Sequence, residues 1–148
     1  MGLALGSTAF LGALTLAGVL LTAVAVRLWL AWRIPGPWVM VDELVYSELA
    51  KSIGTEAELL IRDEPTSFSS LLYPATIAPA WLASSTATAY PIAKAINVVA
   101  MTLAVVPLYL WARRLVSRRY ALLAAGLGLL LPVFLYTGEL MTENVAFP

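Results

Sequence analysis

Apolar residues run almost unbroken through three stretches of this chain, 6–26, 91–111 and 120–138, with one long polar interval between the first two. Each stretch approaches the roughly 20 apolar residues that a membrane-crossing helix needs. The first is rich in Leu, Ala and Gly, and Trp29 and Trp32 follow it as interfacial anchors, with Arg27 placed to snorkel toward headgroups. The second carries Lys94 and Asn97 near one end and Pro107 near the other; the third carries Pro132 in its later half. After Glu143 the chain turns apolar again, through Val145, Ala146 and Phe147, and ends at Pro148. We read this as the start of a fourth span and the sequence as a fragment of a longer protein.

The interval 33–90 opens with Pro35-Gly36-Pro37, a helix breaker and turn signal. The spacing then predicts a short amphipathic helix over 42–53. Asp42, Tyr46, Leu49 and Ile53 fall on one face, Glu43, Ser47 and Lys51 on another, and Gly54 is its expected stop. Residues 55–70 are acidic, then Ser-rich, and read as loop. The apolar run 71–83 is short and interrupted by Pro74 and Pro79, which suits a re-entrant or interface-lying segment better than a span. The expected fold is therefore all-α: a polytopic transmembrane bundle, one domain over 1–148, with a juxtamembrane helix in its first outer loop.

Composition supports lipid as the solvent. Residues AVILMFWYC make up 61%, charged residues 12%, and mean hydropathy is +0.86, whereas soluble domains are about 45–50% apolar and about 25% charged. The first segment reads as a retained transmembrane helix rather than a secretory leader, because its first cation is Arg27 and its apolar run exceeds that of a typical leader. A net charge of zero gives no argument for nucleic acid. With no cysteine or histidine, a disulfide scaffold, a thiolate nucleophile and Cys/His zinc sites are excluded, and a divalent cation would have to sit on carboxylates, carbonyls and water.

Arg113, Arg114, Arg118 and Arg119 crowd the link between the second and third stretches, with no acid among them. The positive-inside rule places that link, 113–119, in the cytoplasm and the acidic loop 33–90 outside a plasma membrane; Arg27 and Arg33 argue the other way. With that topology Glu139 and Glu143 emerge on the same outer side as Asp42 and Glu43.

These acids carry the candidate chemistry. Asp42 and Glu43 stand where a helix begins, and the helix dipole alone would favour them there. Alternatively, Asp42 is a general base that takes a proton from an acceptor hydroxyl, with Glu43 binding a hydroxyl or supporting it. Glu139 and Glu143, four apart, are either an ordinary acidic turn or a shared metal, proton or acceptor site. Lys94 either snorkels or offers a cation to a lipid phosphate, with Asn97 one turn on.

The order of features resembles a known family: Asp42-Glu43-x-x-Tyr46-x-Glu48-x-Ala50 after the first span, Leu72-Tyr73-Pro74 with Ala78-Pro79, Ala89-Tyr90 through Lys94-x-x-Asn97, a span ending Leu110-Trp111-Ala112-Arg113-Arg114, then Tyr136-Thr137-Gly138 and Met141-Thr142-Glu143-Asn144. It looks like the N-terminal third of family-39-like, GT-C-fold glycosyltransferases, relatives of protein O-mannosyltransferases and aminoarabinose transferases. The resemblance implies a polyprenyl-phosphate sugar donor, inverting transfer on the outer face to a glycan, lipid or protein acceptor, Asp42 as base and Glu43 as its partner. Tyr46, Lys94, Asn97, Glu139 and Glu143 are the candidate substrate- or donor-binding residues, a divalent cation is left open with no ligand set, and the fragment alone would be inactive. The alternatives are a transporter or lipid flippase using intramembrane acids as an ion relay, and a non-catalytic membrane subunit.

Overall fold

The structure, a computed structural model, describes residues 2–34, 36–37, 40–83, 85–131 and 137–146. Pro35, Pro132, Tyr136, Phe147 and Pro148, on which the expected turn, the third and fourth spans and part of the family motif rest, lie outside them. The chain is mostly helical. Helix α1 covers Gly2–Trp32 and α2 Met40–Glu56; a two-stranded hairpin follows, β1 Leu60–Ile61 and β2 Glu64–Pro65. Then come α3 Leu72–Ile77, a 3-10 turn Ala78–Leu82, α4 Thr86–Leu103, α5 Val105–Leu115, α6 Arg118–Gly128 and the single turn α7 Glu143–Ala146.

Among the described residues two helices are long and apolar enough to cross a membrane, Phe10–Trp32 and Thr86–Leu115. Their outer faces bear large apolar side chains with nothing packed on them, Leu21, Leu110 and Trp111 among them. The second candidate span begins at Thr86, not at residue 91. Ser85 caps it by accepting the Thr88 N–H at 3.3 Å, and Pro91 sits inside the helix. A turn at Ala104 divides α4 from α5, because Pro107 has no N–H to return to the Leu103 carbonyl.

The third expected span does not form as one helix. Helix α6 has 11 residues, about 16 Å at 1.5 Å each, half of the roughly 30 Å hydrocarbon core. It ends because the Gly128 carbonyl accepts the Leu131 N–H in a tighter turn and Arg27 takes the Leu129 carbonyl at 2.7 Å. Arg27 thus does not snorkel. It is buried between helices and also donates to the Thr102 hydroxyl at 3.1 Å.

Two cores hold the elements together. One, at the α2 end, packs Ala50, Tyr73, Ile77, Trp81, Ala93 and Leu140; the other packs α5 on α6 through Val105, Tyr109, Ala112, Ala121 and Ala125. The segment 71–83 folds as two short helical pieces that bury Tyr73, Pro74, Ile77, Ala80 and Trp81. Gly54 does not stop α2, which runs to Glu56 and yields at Ala57, a residue with positive φ. Its role is steric: a Cβ there would lie 2.6 Å from the Ala78 carbonyl oxygen. The hairpin, expected as loop, turns on Arg62 and Asp63, both at positive φ, and Ser52 braces it by accepting the Leu60 N–H and donating to the Glu58 carbonyl.

The helices define two ends. Lys94, midway along α4, donates to the carbonyls of Ala31 and Ile34 at the end of α1, while the Arg118 Cδ comes within 2.8 Å of where a Cβ on Gly12 would sit. From Gly12 to Ala31 helix α1 rises about 28 Å. The arginine link and the α2 cap therefore stand at opposite ends of α1, one hydrocarbon core apart.

Candidate functional site

The two acidic clusters meet. Glu43, in the first turn of α2, is 1% exposed, and its Oε1 accepts the Tyr90 hydroxyl at 2.7 Å and the Leu140 backbone N–H at 2.9 Å. One carboxylate thus ties α2 to α4 and to the segment before α7. Its neighbour Asp42 is exposed and has no hydrogen-bond or ion-pair partner among the described residues. The helical pattern placed Asp42 with the apolar face, toward a packed cavity, and Glu43 away from it; the structure reverses this. Tyr46, Leu49, Ala50 and Ile53 do face inward. At the first turn, however, Tyr90 and residues 139–140 cover only the Glu43 side.

Behind Glu43 lies a polar network. The Asn97 amide donates to the Glu139 carbonyl at 2.8 Å and exchanges hydrogen bonds with the Tyr73 hydroxyl at 3.0 and 3.2 Å. Asn144 donates to the same Glu139 carbonyl at 2.9 Å and to that of Met141 at 3.1 Å. Tyr46 stands edge-on to Tyr73, ring centroids 5.2 Å apart, and its hydroxyl accepts from Thr142. Burial pushes the Tyr73 phenol above its ordinary range.

Lys94, expected to snorkel or to offer a cation to a lipid phosphate, does not snorkel. It is 2% exposed, donates to the carbonyls of Ala31 at 3.3 Å and Ile34 at 2.7 Å, and lies over the Tyr90 ring. The last carbonyls of α1 have no intrahelical donors, so a cation satisfies them well. Glu139 remains half-buried, and its Oε2 is enclosed without a hydrogen-bond partner. Desolvation raises its carboxyl above the ordinary glutamate value, helped by the charges of Glu43 and Glu143 and opposed by Lys94. Glu143 opens α7, half-buried. Among the described residues no three acids converge to hold a metal ion.

Beside this network a cavity of about 680 Å³ opens between the end of α1, the face of α2 and the start of α4. Trp32, Ile34 and Leu44 give it apolar walls; Glu43, Glu48 and Lys94 are its charged lining. Asp42 is not on that lining, nor are Tyr46, Asn97, Glu139 and Glu143. Sequence reasoning missed Glu48 and Tyr90 as cavity residues. The signal for Glu48 was its place on the stripe of Leu44 and Ser47, at helical spacing. Comparison with known proteins adds no assignment: no family model, no curated protein and no solved structure matches this chain.

Proposed function

We propose that this chain is the N-terminal part of an integral membrane glycosyltransferase of GT-C type, which moves a sugar from a polyprenyl-phosphate donor to an acceptor on the outer face. The observation that supports this best is the meeting of both acidic clusters at one end of two candidate spans, beside an apolar cavity. In this reading the acceptor hydroxyl attacks the anomeric carbon, the lipid phosphate leaves, and Asp42 takes the hydroxyl proton. An exposed carboxylate suits that task, since it must be ionised and reachable. Glu43 does not share the chemistry; clamped by Tyr90 and Leu140, it fixes the turn that carries Asp42.

The test is sugar transfer by the full-length protein in lipid, with a polyprenyl-phosphate sugar, comparing wild type with Asp42→Asn. Loss of general-base catalysis should lower turnover by roughly 10²–10⁴-fold with donor affinity little changed. Transfer at a near wild-type rate by a folded Asp42→Asn protein would remove the base assignment. A second reading, a transporter or flippase, draws on one observation: Glu139 keeps a buried oxygen without a partner and a raised carboxyl value, the chemistry of a proton carrier. Wild type that transfers no sugar but moves a lipid or ion favours that reading.

A further inference from the structure

The cavity beside Glu43 carries charge of one prevailing sign. Glu43 and Glu48 bring two carboxylates to its lining and Lys94 brings one ammonium, a balance of one negative charge. Two of the three ammonium donors are taken by the Ala31 and Ile34 carbonyls, and the ammonium covers the Tyr90 ring. Arg33, just after α1, lies over the Trp29 ring and is not on the lining; Lys51 and Arg62 share a much smaller neighbouring pocket with Glu48 but do not line this one. Glu43 is held by Tyr90 and Leu140, whereas the half-buried Glu48 has no hydrogen-bond or ion-pair partner among the described residues. An anionic head entering here would meet two carboxylates against one ammonium that is already bound to backbone carbonyls, an unfavourable balance.

The rest of the lining is mostly apolar, with Ser47, Thr86 and Tyr90 as its neutral polar members, and the cavity sits where both candidate spans have their α2-side ends. Its volume falls within the roughly 300–1,000 Å³ of ordinary small-molecule sites. A ligand that fits has an apolar body and a positive head. We infer that this cavity binds a membrane amphiphile with a primary-ammonium head, whose ammonium is received by Glu48, and that a lipid phosphate is bound elsewhere in the protein. The inference rests on the charges and walls of the cavity and goes beyond the transferase reading, since it makes this pocket a site for a partner other than the phosphate-linked donor.

The experiment is photo-crosslinking of the full-length protein in lipid nanodiscs with a diazirine-tagged dodecylamine, set against dodecyl phosphate with the same tag, and adducts mapped by mass spectrometry. Saturable amine labelling within 44–48 and 86–91 is expected, about tenfold above the phosphate probe, equivalent to about 1.4 kcal/mol. Glu48→Gln, at a half-buried position with no partner to lose, should remove most of that preference. Leu44→Trp, which fills the cavity without changing charge, should abolish labelling by both probes there. Equal or stronger labelling of these segments by the phosphate probe would overturn the inference. So would amine labelling that does not saturate and spreads evenly along α1, α4 and α6. Absence of sugar transfer, by contrast, would leave it standing and remove only the transferase reading.

Discussion

Two adjacent acids in the first turn of α2 do different work. Removing the Glu43 side chain strands the Tyr90 hydroxyl and the Leu140 N–H, so Glu43→Ala should cost about 2–4 kcal/mol. Asp42→Ala loses only its dipole interaction at an exposed position, about 0.3–1 kcal/mol. Unfolding by SDS in mild detergent measures both; equal losses would contradict the assignment of Glu43 as the clamp. Glu139 adds a pH dependence. Its folded carboxyl value is raised by burial above the ordinary 4.5, so the folded state holds the proton more tightly. Stability should be fullest below 4.5 and fall as pH rises through the raised value. Glu139→Gln should flatten that slope; an unchanged slope would contradict it. Local sequence could not have separated Asp42 from Glu43, because both lie within reach of the inward face of α2. The residues that decide between them, Tyr90 and Leu140, arrive from distant parts of the chain. The same holds for Lys94, whose carbonyl partners on α1 are a tertiary fact.

At the scale of elements, close approach of α2 to the 3-10 turn depends on Gly54. A Cβ there meets backbone, not a flexible side chain, so Gly54→Ala should destabilise by about 1–3 kcal/mol. Gly18→Ala and Gly126→Ala, with nothing within 4 Å of the added atom, should be neutral or stabilise by up to about 1 kcal/mol. Thermal unfolding of the three variants gives the comparison; a stabilising Gly54→Ala would mean that the two elements do not touch. The long apolar runs behind the two candidate spans were legible because length and composition alone mark them. The proline-broken piece 71–83 was legible because each proline removes a donor. The start of α4 was hidden because its cap, Ser85, precedes the apolar run. The hairpin was hidden because Arg62 and Asp63 adopt positive φ without the glycine or asparagine that usually announces it. The early end of α6 was hidden because part of its cause is Arg27, from another helix.

For the molecule as a whole, the two ends differ in charge. Glu43, Glu139 and the apolar cavity gather at the α2 end, and Arg118 stands beside Gly12 at the other, about 28 Å along α1. Arg27 is buried on the Thr102 hydroxyl and the Leu129 carbonyl, and Arg33 lies over the Trp29 ring. The direct measurement places single cysteines at residues 56, 69 and 118 of the full-length protein, which here has no cysteine within 1–148, and treats intact cells with an impermeant thiol reagent. Labelling at 56 and 69 and protection at 118 until the cells are opened is the predicted result. Labelling of 118 with protection of 56 and 69 would put both acidic clusters in the cytoplasm and contradict transfer on the outer face, and equal labelling at all three would contradict a membrane between the two ends.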